Sequence, residues 1–218
     1  MCDETTANEN RAFYAKTLSR RDFTLLAGGA SLSVAFAGCA PGKAVAGITE
    51  SDVLIETPDG TADAYFAHPS TGAHAAVLIW PDVMTLRPAF KMMAKRLAKD
   101  GYAALVVNPY YRQVKAPIIE VGQTFGDPGV REKVIPFARA LSQDTNRTDA
   151  KAFVKWLDAQ AAVDTSRQIG TTGYCMGGPM TMITAATVPD RIGAGASFHG
   201  GGLATDRETT ARIFSSRP

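Results

Sequence analysis

The sequence predicts an α/β protein built on a doubly wound, mostly parallel sheet that opens with an antiparallel hairpin. Three observations predict it. Short apolar runs alternate with amphipathic stretches, as at residues 75–80 and then 90–98. Two strand-like segments flank the turn Pro58-Asp59-Gly60. Finally, Gly173-Tyr174-Cys175-Met176-Gly177 has the composition of a tight passage from strand to helix.

Residues 52–57 alternate apolar and polar side chains, the sign of a half-buried strand, and residues 62–67 resume that pattern after the turn. Residues 75–80 (Ala-Ala-Val-Leu-Ile-Trp) are continuously apolar, as a strand covered on both faces must be. Phe90, Met93, Ala94, Leu97 and Ala98 fall on one helical face between Pro88 and Asp100, and Gly101 ends that helix. A buried strand follows at 102–107. Residues 115–146 are too long for an ordinary connection and should hold one or two helices. Phe153, Trp156 and Leu157 mark a helix expected to begin near Thr148. Then come a strand at 168–174, a helix at 180–186 and a strand over 192–198.

A chain of 218 residues, 45% hydrophobic and 20% charged, can bury one ordinary core. Its net charge of +2 gives no reason to expect nucleic acid or an anionic membrane surface as a partner. No repeat or low-complexity tract is present. The three cysteines, Cys2, Cys39 and Cys175, do not suggest a disulfide framework.

The first forty residues read as an address. Ser19-Arg20-Arg21-Asp22-Phe23-Thr24-Leu25-Leu26 precedes a run of small and apolar residues to Ala37, which fits a twin-arginine export signal. The export machinery is thus an expected partner, and the periplasm or exterior the expected location. A buried helix behind two arginines is the competing reading, weakened by Gly28 and Gly29. Ala35-Phe36-Ala37 would serve as a cleavage site giving a soluble product. Ala37-Gly38-Cys39 would instead make Cys39 a lipid anchor, with Phe36 where such sites usually carry Leu. Residues 41–50 read as a linker and 51–218 as the folded domain.

The passage around Cys175 carries the chemistry. A nucleophile held in a strained backbone between strand and helix leaves no room for side chains two positions away on either side, so glycine stands at 173 and 177. The helix start beneath the sulfur favours thiolate. The bland alternative is a glycine-rich turn around an inert cysteine.

The string Gly-Tyr-Cys-Met-Gly-Gly resembles the nucleophile elbow of dienelactone hydrolases, members of the α/β-hydrolase superfamily. Residues 76–82 resemble the family strand that ends in a carboxylate, 100–104 its next strand, and Tyr110-Tyr111-Arg112-Gln113 its arginine-bearing loop. The resemblance runs in order from about Val53 to Gly201. It implies that Cys175 attacks a carbonyl and that the amides of Met176 and Val83 hold the oxyanion. It implies that Asp82, where the family more typically has Glu, helps to control the thiol; capping of its own loop is the alternative. Arg112 would hold a substrate carboxylate and Tyr111, with Tyr110, would wall the pocket, against a solvated arginine and ordinary aromatic packing.

His68 and His74 flank a predicted turn and are expected to be exposed. His199 and Asp206 come too early in the chain for the base and acid of the superfamily order. Those two groups, on two further strands, are expected after Pro218, so the α/β-hydrolase sheet is read as lacking its last strands and as exposing a strand edge.

The leading functional expectation is a hydrolase of small-molecule carboxylic esters or lactones, working through a cysteinyl acyl-enzyme with no metal and no cofactor. A non-catalytic exported binding protein on the same fold, or an inactive fragment lacking the acid and base of the triad, is the second reading, and a thioesterase or peptidase the third.

Overall fold

The computed structural model describes residues 47–203. Their order is β1 (Ile48–Thr57), β2 (Gly60–Pro69), β3 (Ala76–Trp80), α1 (Pro88–Lys99), β4 (Ala103–Val107), α2 (Val130–Arg139), α3 (Gln143–Asp158), β5 (Ile169–Tyr174), α4 (Gly177–Thr187) and β6 (Ile192–Phe198). The six strands form one sheet in the order β1-β2-β4-β3-β5-β6. The hairpin β1–β2 joins β4 antiparallel, with Ala64 opposite Val107; β4, β3, β5 and β6 run parallel. This is the α/β-hydrolase architecture that the sequence predicts.

Strand composition follows from position. All five residues of β4 are buried, because helices cover both its faces. Ile79, Ala104 and Val106 point to the face of α1, where they pack on Phe90, Ala94 and Ala98. Leu78, Trp80 and Leu105 point to the other face and pack with Phe153 and Leu157 of α3. Each of the larger of these side chains, such as Leu78, Ile79 or Phe90, contributes roughly 1.5–3 kcal/mol on leaving water. A smaller cluster of Val83, Tyr110, Ile118, Ile119, Val130 and Val134 lies under the loops that follow β3 and β4.

Three differences from the sequence reading have physical causes. Helix α3 begins at Gln143 rather than near Thr148. Ser142 caps it, accepting from the Thr145 amide while the Thr145 hydroxyl accepts from the Ser142 amide. Thr in place of the usual Glu or Gln hid this capping box. Strand β1 begins at Ile48, inside the stretch read as linker, because Ile48 pairs with Pro69 across the hairpin. His68 and His74 are half-buried rather than exposed, each bonded through a ring nitrogen to a nearby carbonyl, of Pro69 and Thr71 respectively. Among the described residues β6 ends the sheet, and residues 193–196 on it are exposed. The export-signal residues, Cys39 and Asp206 lie outside the described residues.

Candidate active site

β5 ends at Tyr174 and α4 begins at Gly177, so the chain turns the corner within Cys175 and Met176. Cys175 has φ of +53°, in the left-handed region that a residue with a Cβ enters only at a cost. The Cys175 amide donates to the Phe198 carbonyl (3.0 Å) and its carbonyl accepts from the Gly178 amide (3.0 Å). A Cβ on Gly173 would run into the Gly177 carbonyl and the Thr181 hydroxyl. One on Gly177 would run into the Trp80 carbonyl, and one on Gly178 into the Ser197 hydroxyl. The corner is thus pressed between the ends of β3 and β6, and the spacing of its glycines is a packing requirement. Cys175 itself is a free thiol, part-exposed, at the start of an eleven-residue helix.

The loop after β3 lies beside this corner. Asp82, almost wholly buried, forks with Arg87 through two bonds of 2.6 and 2.8 Å; the two side chains are only 5% and 4% exposed. The same carboxylate caps its loop by accepting from the Met84 amide (3.0 Å). Thr85, at φ +55°, donates its hydroxyl to Asn108 Oδ1, which also accepts from the Tyr110 amide. Asn108 therefore ties the loop after β3 to the loop after β4.

Tyr110 is fully buried between the two predicted oxyanion residues. Its hydroxyl lies 3.0 Å from the Val83 carbonyl and 3.0 Å from Met176 Sδ. Burial pushes this hydroxyl far above the usual tyrosine range, and the nearby charges of Asp82 and Cys175 push it further the same way. Asp82, Tyr110 and Cys175 are thus electrostatic neighbours, which connects three of the sequence-predicted positions.

Arg112 and Tyr111 stand in a different set of contacts. Arg112 bonds Asp59 in the hairpin turn through Nε and Nη2 (3.0 and 2.6 Å) and Asp149 on α3 through Nη1 and Nη2 (3.0 and 2.6 Å). Its guanidinium lies 4.5 Å over the Tyr111 ring. Tyr111 donates to Asp149 (2.8 Å) and shares a bond with the Thr57 hydroxyl (2.7 Å). A substrate carboxylate would have to displace one of these aspartates. Burial raises the Asp149 carboxyl above its ordinary value, and the bonds from Arg112 and Tyr111 recover only part of that shift.

Arg87, Asn108 and Asp149 were not singled out by sequence. Asp82 followed by Arg87 five residues later was the one local signal available. His199 follows β6 with φ of +42° and is exposed. Two clefts lie away from Cys175: one of about 470 Å³ beside Asp63, Arg87, Lys91 and Lys115, and a groove between β1 and α3.

Comparison with known proteins bears on the fold and the family. The chain is 31% identical over 155 residues to a Methylorubrum extorquens protein whose name proposes carboxymethylenebutenolidase activity; the match covers 71% of this chain and 50% of that protein. It is 26% identical over 142 residues to the carboxymethylenebutenolidase of Rhodococcus opacus, covering 62% and 48%. The chain spans about half the length of the curated relatives it matches. Among solved structures, a Klebsiella pneumoniae protein whose name proposes a dienelactone hydrolase superposes with a TM-score of 0.60 at 20% identity, covering 75% of this chain and 65% of that one. The model of the dienelactone hydrolase family matches residues 62–216, and the chain belongs to that family.

Proposed function

We propose that this chain serves the hydrolysis of carboxylic esters or lactones through Cys175. The observation that carries the reading is the left-handed Cys175 at the β5–α4 corner, flanked by glycines that no other residue could replace without collision. The thiolate attacks the carbonyl carbon, and the carbonyl electrons move onto oxygen. The amides of Met176 and Val83 receive that oxyanion. Collapse breaks the carbon–oxygen ester bond, and the alkoxide or enolate leaves with a proton. Water then attacks the thioester, releasing the acid and the thiol. The base that moves these protons is assigned to no described residue. The first turn of α4, beginning at Gly177 just after Cys175, points its free amides toward the developing negative charge.

Asp82 enters this reading as a fixed negative charge near the thiol, held in place by Arg87. Arg112 enters as a substrate group only if ligand binding frees it from Asp149 or Asp59. The proposal includes export: replacing Arg20 and Arg21 by Lys should leave the protein in the cytoplasmic fraction. For the chemistry, hydrolysis of aryl esters by the full-length protein should be blocked by iodoacetamide and lost in Cys175→Ala, by about a thousandfold or more. Undiminished turnover with alanine at that position ends the proposal.

A further inference from the structure

The two residues assigned to the oxyanion come from different parts of the chain, Val83 after β3 and Met176 after β5. Nothing in their own sequence keeps them at a fixed separation. One buried side chain touches both. The Tyr110 hydroxyl lies 3.0 Å from the Val83 carbonyl and 3.0 Å from the Met176 sulfur, and the residue is fully buried. A phenol has one proton, and a carbonyl is a stronger acceptor than a thioether, so the proton goes to Val83 and the sulfur is the weaker partner.

We infer that Tyr110 is a positioning residue for the oxyanion site, clamping Val83 to Met176 so that their amides converge on one point. This rests on the reading of Cys175 given above.

Three further observations bear on it. Tyr110 is itself held: its amide donates to Asn108 Oδ1 (3.0 Å), and its ring packs on Phe137 of α2 with centroids 5.7 Å apart. Its hydroxyl stays protonated, because burial and the charges of Asp82 and Cys175 all oppose ionisation. It can therefore donate at neutral pH. Finally, Val83, Tyr110 and Met176 meet in one small apolar cluster, which keeps water from competing for the bond. Oxyanion donors act only within about 2.7–3.1 Å of the developing charge, so a slackened clamp should slow the reaction without weakening substrate binding.

The test is Tyr110→Phe in the full-length protein, which keeps the ring and removes the hydroxyl. We expect kcat to fall roughly tenfold with KM within about twofold. A substrate-like aldehyde, which forms a tetrahedral adduct on the thiol, should bind about tenfold more weakly. Alkylation of Cys175 by iodoacetamide, which needs no oxyanion hole, should keep its rate. Met176→Leu, which removes only the weaker partner, should cost about twofold in kcat. Unchanged kcat and aldehyde affinity in Tyr110→Phe overturn the inference. So does a parallel drop in kcat, alkylation rate and melting temperature, which would make Tyr110 mere packing. Cys175→Ala, assayed alongside, separates the two ideas. Retained hydrolysis there removes the thiol mechanism itself, whereas lost hydrolysis with an unaffected Tyr110→Phe removes only the clamp.

Discussion

Two regions of this molecule hold buried polar chemistry, and they hold it in opposite ways. Around Cys175 the backbone is strained, the neighbours are glycines, and the thiol is left part-exposed. Around Asp149 the backbone is an ordinary helix, and the charge is fully engaged by Arg112 and Tyr111, which also reach Asp59 and Thr57. The first region leaves a thiol free and part-exposed at a conformational cost. The second consumes its reactive groups to fasten the β1–β2 turn and the loop after β4 onto α3. Buried charge and backbone strain thus mark different places in this fold, the first a fastening between elements and the second the corner at Cys175.

That contrast can be broken or sharpened by mutation. The largest loss should come from Asp149→Ala, which removes the buried carboxylate that Arg112 and Tyr111 both bond and leaves Arg112 only the rim partner Asp59: about 3–5 kcal/mol in urea unfolding, with the alkylation rate of Cys175 in folded protein unchanged. Gly177→Ala should cost about 3 kcal/mol, the upper end for overpacking, and should also alter that alkylation rate, because the added Cβ meets the Trp80 carbonyl. Ser142→Ala should cost about 1 kcal/mol by removing the cap of α3. Asp59→Ala should be the mildest, under about 1 kcal/mol, since Asp59 is 42% exposed and Arg112 keeps Asp149. Equal losses from Asp59→Ala and Asp149→Ala would undo the distinction between a rim partner and a buried one.

The same cluster makes a pH prediction. The folded Asp149 carboxyl holds its proton more tightly than an unfolded one near 3.8. Below that value both states are protonated. Above it the unfolded chain ionises first, so stability falls as pH rises until the folded carboxyl ionises as well. Wild-type melting temperatures from about pH 3 to about pH 7, compared with those of Asp149→Asn, should show this falling component only in the wild type. A component that rises with pH would mean that Arg112 outweighs the burial.

The features legible in the sequence were local ones. Gly173, Cys175 and Gly177 lie within five residues and report one sharp corner, so their spacing was enough. Helix α1 was legible because its apolar face repeats without a break between Pro88 and Gly101. The Arg112 cluster was not, because its partners lie 37 and 53 positions away and only the folded topology brings them together. Asp149 looked like one more polar position on an amphipathic helix. Arg112 carried two readings, substrate arginine or solvated loop residue; its ion pairs with two aspartates and its 18% exposure depart from the second. Tyr110 was noticed only as pocket wall, since nothing in a tyrosine's neighbours along the chain tells where its hydroxyl ends.

The positive φ at Cys175 has one more consequence. Its energetic toll falls on the Cβ and is blind to the atom attached beyond it. Exchanging sulfur for oxygen there, as in Cys175→Ser, should leave the corner's shape intact and change only nucleophilicity and acidity. The bend is in that sense indifferent to whether sulfur or oxygen stands at its summit.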